Sequence, residues 1–206
     1  MSKNIVITIG RQFGSGGRYV GRLLAEKLGV PFYDKELLSE AAKTSGICEE
    51  ILEEHDEKPT RSLLFSLVTG VQQHMGSGSF YMDMPLNHKI FLAQFDAIRR
   101  IAEEGPCVIV GRCADRILKD RDDVLRVFIH ADEEFRAHRI VEVYGELEGA
   151  DPYDRMLEKD KLREGYYERY TRTQWGDARN FHLTLNSGEL GLDFCVKLLE
   201  GLCKTE

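Results

Sequence analysis

The feature that most constrains this chain is the run over residues 4–21, NIVITIGRQFGSGGRYVG. Ile5, Val6, Ile7 and Ile9 read as a buried strand. Gly14, Gly16 and Gly17 allow a tight turn that brings backbone N–H groups against a ligand, with Ser15 set among them. Val20, Leu23, Leu24 and Leu28 then mark one face of a helix whose N-terminus directs positive charge back at the turn. Strand, glycine turn and helix in this order form a phosphate cradle. The standard loop, G-x-x-x-x-G-K-[ST], is nevertheless not matched. Gly16 can serve as its last glycine, but Gly17 stands at the lysine position. Arg18 follows, and Tyr19 leaves no Ser/Thr hydroxyl in the usual magnesium position. A tight turn without a ligand is the alternative; three glycines flanked by Arg11 and Arg18 favour an anion.

A chain of 206 residues suits one compact α/β domain with no evident internal boundary. A formal charge of −7 argues against nucleic-acid binding through a global positive field, and leaves room for a local basic site. The five cysteines are too scattered for a disulfide framework or a paired metal motif, which points to a reducing cytoplasm. The six histidines make no recognised metal spacing, so no metal ligands are assigned. No membrane span or signal peptide is expected, because the apolar start is only a strand in length.

Strands and helices alternate, which predicts a mainly parallel sheet covered on both faces. Strands are expected at 30–33, 107–110, 124–129 and 181–185, the last followed by a turn at 186–188. Helices are expected at 35–45, 154–172 and 193–202, with a further one capped by Asn87 and one capped by Asp132. Between them lie an acidic helix face over 47–58, an apolar helical run from Pro59 to Val68 and a flexible Gly-Ser-Gly-Ser interruption at 76–79. The aromatic and methionine residues over 80–85 suit a flap or a homo-oligomer contact equally well.

Gly111-Arg112 ends a central strand, at the edge where open α/β sheets collect ligands. Arg112 can bind phosphate in bidentate fashion, or pair with Asp115 at the surface. Asp34 ends the second strand on that edge; it can orient substrate, hold metal-linked water or cap the following helix. Arg18 either compensates for the missing lysine or is a helix-surface cation. Arg136 and Arg139 share a helix face, and a basic stretch follows through Arg155, Lys159, Lys161, Arg163, Arg169 and Arg172. Interleaved carboxylates make most of these a solvated face, leaving two or three to touch a polyanion. Tyr166, Tyr167, Tyr170 and Trp175 read as packing residues before base-stacking ones, and Cys113 as an inert buried thiol before one made reactive by Arg112.

The segments ITIGRQFGSGGRYVGRLLAEKLGVPFYD, PCVIVGRCAD, VFIHADEEFRAHRI and DKLREGYYERYTRTQWGDARNFHLTLNSGELGLD together resemble the cytidylate kinase-like family, a divergent branch of the P-loop nucleoside monophosphate kinases. The resemblance runs across nearly the whole chain and is weakest over 45–85. It implies a P-loop NTPase type of α/β fold: a five-stranded parallel sheet with helices on both faces. It also implies an acceptor-binding insertion over 35–104, a mobile lid over 144–175, and phosphoryl transfer from ATP with Mg2+. The chain departs from the family pattern at the G-K-G-T loop. It departs again at G-R-D, where Arg112 carries over and Cys113 replaces the cytosine-reading aspartate, and at Glu40, which stands in place of a phosphate arginine. Lid arginines correspond in part, through Lys159, Lys161 and Arg163.

The expected activity is therefore ATP-dependent phosphoryl transfer to a nucleoside monophosphate such as CMP or dCMP. Backbone groups of Gly14, Ser15, Gly16 and Gly17, with Arg18, would hold the donor. Asp34 and Arg112 would bind the acceptor. Arg18, Arg112 and one or more of Arg139, Lys161 and Arg163 would neutralise charge in the transition state. The partner is then a small nucleotide, with neither nucleic acid nor membrane. The alternatives are a nucleotide-binding regulatory module without turnover and a kinase of another small phosphoacceptor.

Overall fold

A computed structural model describes residues 5–45, 47, 51, 53, 85–145 and 151–204. The first strand β1 (Val6–Arg11) leads into α1 (Gly17–Leu28), and β2 (Phe32–Tyr33) into α2 (Glu36–Ser45). After the segment between them come α3 (Leu86–Glu104), β3 (Cys107–Val110) and the single-turn α4 (Ala114–Ile117). The second half holds β4 (Val124–His130), α5 (Glu133–Tyr144) and α6 (Pro152–Thr171). It closes with a 3-10 turn (Ala178–Asn180), β5 (Leu183–Asn186), the short α7 (Ser187–Leu190) and α8 (Leu192–Lys204).

The five strands form one parallel sheet in the order β2-β3-β1-β4-β5. Strand alternation divides β1 between two cores, because successive side chains point to opposite faces. Ile5, Ile7 and Ile9 pack with Val20 and Leu24 of α1 and with Val196 and Leu199 of α8. Val6 faces the other way, into Leu37 and Leu38 of α2 and Ile90, Ile98 and Ile101 of α3. Both faces are thus helix-covered, and the C-terminal ends of β1, β3 and β4 share one edge.

The second strand is shorter than the expected 30–33. Gly29 closes α1 in a left-handed conformation, and the Val30 N–H turns back to the Ala25 carbonyl at 3.1 Å. Pro31 has no N–H to donate, so regular pairing starts at Phe32. Pro85, not Asn87, stands at the N-cap of α3, and Asn87 lies inside its first turn. The expected turn at 186–188 is instead a capped helix start: the Asn186 side chain accepts from the N–H groups of Gly188 and Glu189. Asp132 caps α5 as expected, accepting from Phe135 N at 3.0 Å. The acidic face over 47–58 (except Ile47, Ile51 and Glu53), the run over 59–68 and the interruption at 76–79 lie outside the described residues. Among the described residues, no helix is long and apolar enough to cross a membrane.

Candidate functional site

The glycine turn sits where β1 ends and α1 begins. Gly14 and Gly16 have φ of 80° and 76°, a region that favours glycine. A Cβ at Gly14 would stand 2.7 Å from the Arg136 carbonyl oxygen, and one at Gly17 would stand 2.6 Å from Arg11 Cβ. Ser15 is wholly buried beneath the loop: its hydroxyl donates to the Gln12 carbonyl at 2.9 Å, and its own carbonyl accepts from Ser187 Oγ at 2.6 Å. Gln12 Oε1 accepts from Ala131 N at 3.2 Å, tying the turn to the end of β4.

Two helices clamp the turn from above. Asp160 of α6 accepts from Phe13 N at 2.7 Å and pairs with the buried Arg136 of α5, which also donates to the Phe13 carbonyl. Burial raises the Asp160 carboxyl from its ordinary value, against the opposing pull of the Phe13 N–H and Arg136. The Phe13 ring stacks on Tyr144 with centroids 5.6 Å apart, and the Arg163 guanidinium lies 5.6 Å from the same ring centroid. Arg136 therefore holds the loop, while Arg139, one turn further along α5, is half-buried over the Tyr19 ring beside Gly16.

At the same edge, Asp34 gathers three arginines. Its carboxylate is 2.6 Å from Arg18 Nε, 3.4 Å from Arg112 Nη1 and 3.8 Å from Arg11 Nη2. The Arg112 side chain is 1% exposed and also donates to the Val110 carbonyl. Gly111, Arg112 and Cys113 all have positive φ, at 79°, 51° and 58°. Two consecutive non-glycine residues in this region store backbone strain, which the buried contacts of Arg112 hold in place. The Asp115 carboxylate is not the partner of Arg112. It accepts from Tyr167 Oη at 2.7 Å, and burial pushes its carboxyl up to about 6. Tyr166 and Tyr167 are buried packing residues, and Cys113 is buried beside them.

A cavity of about 750 Å3 opens between the turn, the Asp34 cluster and helices α5 and α6. Of the residues singled out in the sequence, Gly14, Gly16, Gly17, Arg18, Asp34, Arg112, Arg139 and Arg163 line it. Ser15 lies under the floor, and Lys161 is exposed outside the lining. Arg11, named as a flank of the turn, and Lys159, named with the lid cations, also line it, together with Arg22 and Lys35, to which the sequence assigned no role. The signal for Arg11 was its place as the last residue of β1; Lys159 lies one helical turn before Arg163, on the same face. Eight cationic side chains thus face two carboxylates, Asp34 and Glu142. Such a lining suits a polyphosphate.

The same residues do not suit a protein-held divalent cation. Among those described, no group of three or more His, Cys, Asp or Glu side chains could hold a metal. Asp34 is committed to arginines. Tyr19 stands at the usual hydroxyl position, and its ring centroid is 5.5 Å from the Arg139 guanidinium carbon.

A parallel sheet in this order, with a glycine turn on a helix N-terminus at its edge, defines a P-loop kinase fold. The model of the cytidylate kinase-like family matches residues 6–189, and the chain belongs to that family. An uncharacterized protein from Eubacterium ventriosum is 29% identical, with a TM-score of 0.71 over 98% of this chain and 99% of that one. A shikimate kinase from Bacteroides thetaiotaomicron shares the fold at 14% identity, with a TM-score of 0.55 over 98% of this chain and 99% of its own. One from Acinetobacter baumannii, solved with shikimate, does so at 15% identity, with a TM-score of 0.51 over 97% and 92%. No curated protein matches the chain.

Proposed function

We propose that the protein transfers a phosphoryl group from ATP to a nucleoside monophosphate, with CMP and dCMP the first acceptors to test. The observation that carries this is the cationic cavity built directly over the glycine turn and the N-terminus of α1. Backbone groups of 14–17 would hold the donor phosphates. Arg18 would join them on the donor, and Arg112, held on Asp34, would receive the acceptor's phosphate, while Arg139 and Arg163 approach from α5 and α6. In-line transfer needs little acid–base chemistry; positioning and charge stabilisation carry it. Residues 144–175 would act as the lid, excluding water as α6 closes. Lys161 reaches phosphate only through such a closure.

Magnesium, when present, would supply charge neutralisation on the phosphate oxygens. The described residues add no ligand set of their own. Cys113, buried at the position of the cytosine-reading aspartate, leaves base choice to other contacts. The test is incubation with ATP and, separately, CMP, dCMP, UMP, AMP and GMP, with and without magnesium, with nucleoside diphosphates measured directly. Product from one or a few acceptors is expected. Nucleotide-induced thermal stabilisation with no product from any of them would replace this reading with a binding module.

A further inference from the structure

We infer that this cavity takes the donor's polyphosphate as a metal-free anion, with Arg11 supplying the charge at the place a loop lysine would occupy. The inference rests on the phosphotransferase reading of the same cavity and concerns how its donor is held.

The first ground is steric. Gly17 is the first residue of α1, and a Cβ there would stand 2.6 Å from Arg11 Cβ, 3.2 Å from Ile129 Cβ and 3.3 Å from Arg11 Cγ. A lysine at this position would need the end of β1 to move. The missing lysine is therefore not a gap in the loop, because the Arg11 stem fills its space. The Arg11 side chain is 10% exposed, lines the cavity and brings Nη2 to 3.8 Å from Asp34. It thus carries a permanent charge to the floor of the phosphate site from the end of a strand paired on both sides, by β3 and β4.

The second ground is electrostatic and chemical. A divalent cation competes for the same phosphate oxygens as the arginines, and eight cationic side chains raise the cost of bringing it in. Magnesium holds its waters and is normally recruited by one or two carboxylates beside the phosphates. Here one of the two lining carboxylates is occupied by three arginines, and the loop hydroxyl is replaced by the Tyr19 ring facing Arg139. A lining so rich in guanidinium forks can satisfy the terminal and bridging phosphate oxygens directly.

Titration calorimetry on the wild-type protein tests this with ATP in EDTA, with ATP in excess magnesium, and with inorganic tripolyphosphate in EDTA. ATP in EDTA is expected to bind at least as tightly as in magnesium, and tripolyphosphate to compete with it. Arg11→Ala should weaken binding in EDTA at least tenfold. Arg11→Lys should restore part of it, with a thermal melt reporting that each variant is folded. Binding of ATP that appears only with magnesium would overturn the inference while leaving the phosphotransferase reading intact. Failure of ATP to bind in either condition would overturn both.

Discussion

Arg112 shows how a single side chain can repay an unfavourable backbone. Its φ of 51° is rare for a residue with a Cβ, yet its guanidinium is buried against Asp34 and the Val110 carbonyl. A buried charge of this kind persists only when it is paired. The pairing leaves the guanidinium on the cavity wall, where a phosphate can share it. Arg112→Ala is expected to lower kcat/KM for the acceptor at least tenfold, about 1.4 kcal/mol of transition-state stabilisation. Steady-state kinetics on the folded variant check this, and an unchanged kcat/KM would remove Arg112 from the reaction. The Gly-Arg pair at a strand end was legible in the sequence. Its partner was not: Asp34 lies 78 residues away, and Asp115, three residues on, was the nearer candidate.

The strand, turn and helix at the start of the chain were legible because their apolar periods are long and unbroken. The ends of elements were less so, since Pro31 and the cap at Gly29 shorten β2 through bonds that periodicity does not encode. Least legible was what holds the turn down. Asp160 reaches Phe13 N across 147 residues, and the salt bridge from Arg136 to Asp160 looks in sequence like any pair on charged helices. These contacts make the turn and the start of α5 one packed unit, with Gly14 at the closest approach. Gly14→Ala meets two penalties: a φ of 80°, and a Cβ 2.7 Å from the Arg136 carbonyl, a backbone atom with little freedom to retreat. The expected cost is on the order of 1–3 kcal/mol, seen as a lower denaturation midpoint, together with weaker nucleotide binding. A variant with an unchanged midpoint would mean that the turn and α5 separate at little cost.

At the scale of the whole molecule, a chain of net −7 brings eight cationic side chains to one cavity and buries a carboxyl near the same sheet edge. That carboxyl is Asp115 on α4, which accepts from Tyr167 on α6 and so joins the helix over the cavity to the sheet edge. Burial raises its pKa from 3.8 to about 6, the Tyr167 hydrogen bond opposing this only in part. Burial also raises the phenol of Tyr167, so the hydroxyl remains the donor. Between those two pKa values the folded protein keeps a proton that the unfolded chain has released. The stabilisation this proton provides is present at low pH and is lost as pH rises through about 6. Asp115→Asn removes the titration while keeping an oxygen for Tyr167. Other groups, Asp160 included, cancel in the difference between variant and wild type. The stability of Asp115→Asn relative to wild type is therefore expected to rise by on the order of 2 kcal/mol between pH 4.5 and 7.5, measured by urea unfolding at each pH. A difference that stays flat across this range would mean that Asp115 is ionised in the fold, and that the joint between α4 and α6 is held by a carboxylate.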